Sequence, residues 1–325
     1  MIVLGIESTA HTFGIGILKD KEVLANEKDV FTTGKGGMIP NEVAEHHKKI
    51  ADKVIERALA KSGLKLEDIG LISFSQGPGL SPSLVVGKDK AKELSKKLNI
   101  PLVGVNHCIA HLEIGNLLTK AKNPVLLYAS GVNTQIIAFE GGKYRIFGET
   151  LDIGVGNFLD SAAREMNIGF PGGPKIEELA KKGKEFIELP YSVKGMDVSF
   201  GGMLTNIKQK LGKFSNKDLA FSMQETAFAM LIEVTERAMA HCNKNELLLG
   251  GGVCCNKRLQ EMAKIMCEAR NAKCFIPENE FLVDNAAMIA WLGLIEYEAG
   301  VQEDKETADI KPYWRTDQVE VIWKS

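Results

Sequence analysis

An apolar run from Met1, a polar turn Glu7-Ser8-Thr9-Ala10-His11-Thr12 and a second apolar run from Phe13 to Leu18 make a unit that returns at Val125 to Phe139; that return constrains the fold most. In the second copy Val-Leu-Leu-Tyr-Ala leads into Ser130-Gly131-Val132-Asn133-Thr134 and then Gln-Ile-Ile-Ala-Phe. Two short apolar runs joined by small hydroxyl and amide residues read as a β-hairpin. A hairpin used twice predicts an internal duplication, so the chain is expected to build two lobes of the same kind.

Between the hairpins the pattern predicts a helix from Pro40 to Lys61, a strand from Ile69 to Ser75, a loop Gln76-Gly77-Pro78-Gly79-Leu80, a Lys-rich helix to Leu98 and a strand from Leu102 to Val105. Strand, glycine loop and helix in succession imply parallel pairing. The second half predicts helices near 157–166, 173–182 and 219–242, then a strand over 246–249 running into Gly250-Gly251-Gly252. No Pro/Ser-rich linker marks a hinge, so the lobes are expected to abut.

At 325 residues and 45% hydrophobic, the chain has material for two cores. No apolar run approaches the roughly 20 residues of a membrane span, and no basic leader precedes the first strand, so a cytoplasmic protein is expected, with no membrane partner. The six cysteines show no Cys-x-x-Cys spacing, which argues against a thiolate zinc site or a disulfide framework and for a reducing compartment. Lys and Arg number 40 against 42 acids, a net charge of -2. Any contact with nucleic acid therefore needs a local basic patch, for which the segments Gly34 to Gly37, His46 to Lys49 and Lys88 to Lys97 are the candidates.

His107 and His111 stand four residues apart in Val-Asn-His-Cys-Ile-Ala-His, a spacing that brings both imidazoles to one helix face and can hold a metal, although local hydrogen bonding also accounts for such a pair. Asp284 sits at the mouth of an apolar helix, where an acid is either an N-cap or a ligand. Tyr128 lies in an apolar strand, where it is either a half-buried aromatic or a phenolate donor. Together these residues would form a set of hard or borderline donors without thiolate, which suits iron better than structural zinc. A zinc-peptidase motif needs a glutamate after the first histidine, and this chain has Cys108 there.

The Ser8-Thr9 and Ser130 to Thr134 turns can each aim backbone N–H groups at a phosphate, or simply be hairpin turns. Gly250-Gly251-Gly252 leaves room for a flat ligand or for close packing. Phe170-Pro171-Gly172-Gly173-Pro174 opens a helix whose first turn carries Glu177 and Glu178, either able to hold ribose hydroxyls.

Several segments resemble the Kae1/TsaD/YgjD family, most closely its archaeal and eukaryotic Kae1 members. They are Gly-Ile-Glu-Ser-Thr-Ala-His-Thr (5 to 12), Phe-Ser-Gln-Gly-Pro-Gly-Leu (74 to 80), Gly-Val-Asn-His-Cys-Ile-Ala-His (104 to 111), Gly-Glu-Thr-Leu-Asp-Ile-Gly-Val-Gly-Asn (148 to 157), Phe-Pro-Gly-Gly-Pro (170 to 174) and Leu-Pro-Tyr-Ser-Val-Lys-Gly-Met-Asp (189 to 197). The resemblance implies an α/β, actin-like and sugar-kinase-like fold, two ribonuclease-H-like lobes around a nucleotide cleft. The expected lobes are 1–120 and 121–297, with a C-terminal segment from about 298 to 325 packing back on the first.

It further implies transfer of a threonylcarbamoyl group from threonylcarbamoyl-adenylate to N6 of adenosine 37 in tRNAs reading codons that begin with A. The implied setting is a KEOPS-type complex with a Bud32-type kinase and Pcc1-type and Cgi121-type subunits. The implied ligands of one Fe(2+), with zinc as the alternative, are His107, His111, Tyr128 and Asp284, of which His107, His111 and Asp284 are expected to be catalytic. The implied donor-binding residues are Tyr128, Ala129, Ser130, Gly131, Val132, Asp160, Gly173, Glu177 and Asn256, in a cleft that ATP or AMP can also occupy. Val132 stands where the family usually has glycine. Two other readings follow from the same residues: a metal-bearing scaffold subunit without catalysis, and an actin-fold ATP-dependent kinase or ATPase.

Overall fold

The two repeated hairpins open two five-stranded sheets of one topology. In the computed structural model, which describes residues 1–33 and 39–324, β1 (Ile2–Glu7), β2 (Thr12–Lys19) and β3 (Glu22–Val30) run antiparallel. Helix α1 (Pro40–Ser62) follows, then β4 (Leu71–Gly77), α2 (Ser81–Leu98), β5 (Leu102–Asn106) and α3 (His107–Leu118). β4 and β5 join in parallel on the other side of β1, giving the order β3-β2-β1-β4-β5.

The second sheet repeats this order with β6 (Val125–Ala129), β7 (Thr134–Glu140) and β8 (Lys143–Glu149), then β11 (Glu246–Gly250) and β12 (Lys273–Phe275) parallel to β6. Between β8 and β11 lie α4 (Val155–Glu165), α5 (Gly172–Ala180), a two-strand ribbon β9 (Val193–Lys194) and β10 (Asp197–Val198), α6 (Gly201–Lys210) and α7 (Asn216–His241). Helix α8 (Lys257–Ala269) joins β11 to β12, and α9 (Asn279–Leu282) and α10 (Ala286–Glu298) complete the helices of the described residues. The expected duplication and parallel pairing are both present.

The chain divides into two units, Met1–Leu118 with Asp284–Ser325, and Thr119–Val283. This corrects the expected boundary at 297, because α10 belongs to the first unit. Alternation along β1 and β2 sends Leu4, Ile6, Ile15 and Ile17 into one core with Ala51, Val54 and Ala58 of α1. The intervening Gly5 and Gly16 pair in register and face α10, where a Cβ at Gly5 would lie 2.4 Å from the Ala290 nitrogen and one at Gly16 would lie 2.3 Å from the Ala287 nitrogen. Glycine on the sheet and alanine on the helix let backbone meet backbone. Gly293 repeats the device against Ser73, whose hydroxyl donates to Ile289 O at 2.9 Å. None of these contacts is visible in the apolar pattern of α10, which reads equally well as part of either lobe.

Among the described residues no helix is long and apolar enough to cross a membrane. All six cysteines are free thiols. Glu296 on α10 is 3% exposed and its Oε1 has no hydrogen-bond partner. Burial pushes its pKa from the ordinary 4.5 to about 8, with Glu303 and Glu113 adding to the rise and Lys311 opposing it.

Gly5→Ala is expected to destabilise the first unit by about 3 kcal/mol in a denaturant titration, because the new methyl meets helix backbone rather than a side chain that can swing away. Glu296 retains in the fold a proton that the unfolded chain releases, so stability falls as pH rises from about 4.5 to about 8 and levels off beyond. Glu296→Gln removes this loss. Denaturant titrations across that range are expected to show the variant gaining on the parent by about 1.4 kcal/mol per pH unit.

Candidate functional site

Asn106 ends β5 and starts α3 at the next residue, its side-chain oxygen accepting the N–H groups of Cys108 at 3.0 Å and Ile109 at 3.2 Å. His107 and His111 therefore stand one turn apart on the helix, both buried, with ring centroids 4.9 Å apart and ring planes at 82°. α10 is capped by Asn285, whose side-chain oxygen accepts the Met288 N–H at 3.0 Å. The N-cap role open to Asp284 is thus taken by its neighbour. Asn285 caps, and Asp284 Oδ1 lies 3.3 Å from His107 Nε2 and 3.4 Å from His111 Nε2. The ligand atoms of His107, His111 and Asp284 all lie within 4.8 Å of one another.

The sequence reading missed Glu7. Its side chain has no exposure, and its Oε2 lies 2.9 Å from His107 Nδ1. Its Oε1 accepts the Thr9 N–H at 2.7 Å and the Thr9 hydroxyl, which itself lies 3.3 Å from His107 Nδ1. A carboxylate on Nδ1 selects the tautomer that turns the Nε2 lone pair toward Asp284, as carboxylates do behind metal-ligating histidines. The available signal was a lone acid closing an apolar strand, which looks the same as the start of any polar turn.

Burial opposes charge on either ring, yet Glu7 and Asp284 together hold His107 well above the usual imidazole pKa. Burial lowers His111, with only partial compensation from Asp284. The two rings hold Asp284 well below the ordinary carboxylate value despite its burial. The donor set fits a divalent cation: two neutral imidazoles bring ligands, and the carboxylates of Glu7 and Asp284 balance two positive charges. Burial raises the Cys108 thiol pKa, so no thiolate competes there.

Of the two readings open to the Ser8-Thr9 turn, the hydrogen bonds favour the plain hairpin turn. Ser8 N–H donates to Ser75 Oγ at 3.0 Å, Thr9 N–H goes to Glu7, and the Ala10 carbonyl is taken by the buried His47. The Ser130 turn is different. Ser130 N–H donates to Asn133 O and Asn133 N–H to Ser130 Oγ, while the N–H groups of the exposed Gly131 and Val132 have no partner among the described residues. Carbonyls of this turn receive Gly156 N–H and Asn157 N–H, so the start of α4 is tied to it. The Val132 side chain is 67% exposed and crowds nothing in its own unit.

Asp160 Oδ1 accepts the Gly172 N–H at 2.7 Å and thereby fixes the start of α5. Glu177 Oε1 accepts the Lys257 N–H at 2.9 Å, at the start of α8. Asn256 caps that helix through the Arg258 and Leu259 N–H groups and donates to Gln224 Oε1 at 2.8 Å. Asp160, Gly173, Glu177 and Asn256 thus lie along one run of helix starts in the second unit. Gly251 has φ +91, and a Cβ there would sit 2.3 Å from Ala129 O, so close packing accounts for this glycine. Tyr128 and Ala129 are buried in β6 of the same unit, Tyr128 at 1% exposure.

A family model described as TsaD, tRNA N6-adenosine threonylcarbamoyltransferase, matches residues 21–291. A protein of that name from Thermococcus kodakarensis is 57% identical over 325 residues, covering 99% of this chain and 100% of its own. A Methanothermobacter thermautotrophicus protein named as a probable bifunctional tRNA threonylcarbamoyladenosine biosynthesis protein is 51% identical over 99% of this chain and 61% of its own length. Among solved structures, Thermococcus kodakarensis HypF matches with TM-score 0.63 at 17% identity, over 91% of this chain and 47% of its own. An activator of 2-hydroxyisocaproyl-CoA dehydratase from Clostridium difficile matches with TM-score 0.54 at 13% identity, over 94% and 99%. At these identities the structural likeness speaks for the actin-like fold alone.

Glu7→Gln is expected to weaken metal retention about 10- to 100-fold, read as metal content after equilibration against graded chelator, while Asp284→Ala abolishes it. Equal retention by Glu7→Gln and the parent would leave Glu7 without a part in the site.

Proposed function

The chain belongs to the TsaD family and is a tRNA N6-adenosine threonylcarbamoyltransferase, and on that premise we propose that its donor is threonylcarbamoyl-adenylate and its target N6 of adenosine 37 in tRNAs reading codons that begin with A. The observation that carries the reading is the convergence of His107 Nε2, His111 Nε2 and Asp284 Oδ1. These residues would hold an iron(II) ion, zinc being the alternative. When bound, such an ion supplies Lewis-acid polarisation of the donor's carbonyl.

The remaining work belongs to the chain. Glu7 keeps His107 in one tautomer and one orientation. The Gly131 and Val132 N–H groups can receive the anionic oxygens of the acyl phosphate, where they favour departure of AMP. Asp160 and Glu177 take ribose hydroxyls, the second through an Oε2 that has no hydrogen-bond partner among the described residues. Asn256 and the turn at Gly250 to Gly252 border the adenine. Because an aromatic amine is a weak nucleophile, holding it against the activated carbonyl supplies most of the acceleration in this reading.

A KEOPS-type assembly with a Bud32-type kinase and Pcc1-type and Cgi121-type subunits is part of the proposal. The bifunctional name of the Methanothermobacter relative, of which this chain covers 61%, supports action beside a second component. A cytoplasmic setting agrees with the free thiols.

Nucleoside mass spectrometry tests the reading on tRNA incubated with the protein, its partners, threonine, bicarbonate, ATP and an adenylate-forming enzyme. N6-threonylcarbamoyladenosine is expected with the parent, and about 100-fold less with His107→Ala. Val132→Gly is expected to change little, since the Val132 side chain is largely exposed. Product that appears only after Val132→Gly would make the natural chain a scaffold. ATP turnover on a small acceptor that survives His107→Ala would make it a kinase.

A further inference from the structure

The lysine-rich stretches that the sequence offers as nucleic-acid contacts are largely spent on the protein itself. Lys88 pairs with Asp89 and Asp309, Lys90 with Asp52 and Glu93, and Lys96 with Glu306, while Lys92 donates to the Glu306 and Ala308 carbonyls. Lys48 pairs with Glu45, and His46 with Asp29. Gly34 to Gly37 lies outside the described residues. A polyanion landing there would have to break these pairs.

The second unit carries a different basic surface. The loop after α5 lies against the start of α7: Lys184 N–H and Glu185 N–H donate to Asp218 Oδ1 at 2.7 and 3.1 Å, and a Cβ at Gly183 would lie 2.7 Å from the Lys217 carbonyl. This contact gathers Lys182 and Lys184 from one loop with Lys217 in the first turn of α7 and Lys213 just before that helix. All four are exposed, and none holds an ion pair among the described residues. The nearest acid on α7, Asp218, is occupied by the two backbone N–H groups and the Ser215 hydroxyl.

Aromatic rings stand among these lysines. Phe186 is 59% exposed and meets Phe221 edge to face at 6.5 Å, and Phe214 is 43% exposed with the Lys210 ammonium 5.4 Å from its ring centre. An exposed phenylalanine costs solubility, and two beside unpaired cations make a surface matched to RNA: ammonium groups for phosphates and ring faces for unpaired bases. With a net charge of -2 the chain has no general attraction for RNA, so a local excess of this kind has to supply it.

We propose that the surface formed by Lys182, Lys184, Lys213 and Lys217 with Phe186 and Phe214 is where this chain grips the phosphate backbone and unpaired bases of its tRNA substrate. The inference rests on the proposed function only in taking tRNA as the RNA.

The test measures tRNA binding by the metal-loaded full chain with fluorescence anisotropy, from about 50 to about 300 mM KCl. Replacing all four lysines by glutamine is expected to weaken binding about tenfold or more and to flatten the plot of log affinity against log salt by about 3. Phe186→Ala with Phe214→Ala is expected to weaken binding with the salt slope unchanged, since no charge is lost. Lys88→Gln with Lys96→Gln should leave affinity and slope as in the parent. Thermal melting within a degree or two of the parent's verifies that the variants fold.

An unchanged slope in the four-lysine variant overturns the proposal. So does a variant that keeps its tRNA affinity and slope but no longer binds the partner subunits, which would make the surface a protein interface. If the salt slope falls while no modified nucleoside forms even with the parent, the RNA surface stands and the donor assignment fails. If the nucleoside forms and the slope does not move, the reverse holds.

Discussion

Gly5 and Gly16 face each other across β1 and β2, and because neither carries a Cβ, α10 can rest its own backbone on the sheet. The position of Asp284 follows from that contact. The residue stands just before the helix, so the depth at which α10 seats decides whether its carboxylate reaches the two histidines that β5 delivers at the start of α3. One methyl at either glycine would lift the helix away from the sheet, and distances of 3.3 and 3.4 Å leave little room for that. Packing and chemistry in the first unit are therefore a single constraint.

The same seating explains how so much polarity can be buried near the site. Glu7, Thr9, His107 and His111 are all nearly inaccessible, and each unpaired polar atom there would carry a desolvation cost. Pairing removes most of it: Glu7 serves Thr9 and His107, and Asp284 serves both rings. What is left is a protonated or neutral state of two imidazoles confronting two carboxylates, and a divalent cation would resolve it with both rings neutral. A proton on His107 and a cation on its Nε2 exclude each other, so the carboxylates that stabilise one also prepare the site for the other.

Periodic and punctuated features were legible in the sequence. The hairpins, their repetition, the helices around them and the histidine pair all depend on residues close together in the chain, where spacing translates directly into geometry. The features that were not legible depend on distant partners. Whether α10 joins the first or second lobe is decided by Gly5 and Gly16, more than 260 positions away, and an all-round apolar helix carries no mark of its destination. Glu7 could not be told from an ordinary turn acid until His107 stood beside it. The run Lys88 to Lys97 looked cationic because Asp52, Glu306 and Asp309 lie elsewhere in the sequence and return to neutralise it.

The duplicated hairpins show how one scaffold acquires two chemistries. Each places four residues between its strands, Ser8 to His11 in the first and Ser130 to Asn133 in the second, so Glu7 corresponds to Ala129 and Thr9 to Gly131. In the first copy the Glu7 carboxylate takes the Thr9 N–H and leans on His107, and the turn closes on itself. In the second copy Ala129 has no carboxylate to offer, and the Gly131 N–H, at the position of Thr9, has no partner among the described residues. A single acid at the end of a strand therefore separates a turn that orients His107 from one whose Gly131 N–H is left open. The Ser130 turn keeps its Gly131 N–H open because its strand ends in alanine, and a carboxylate at position 129 is expected to close it from within.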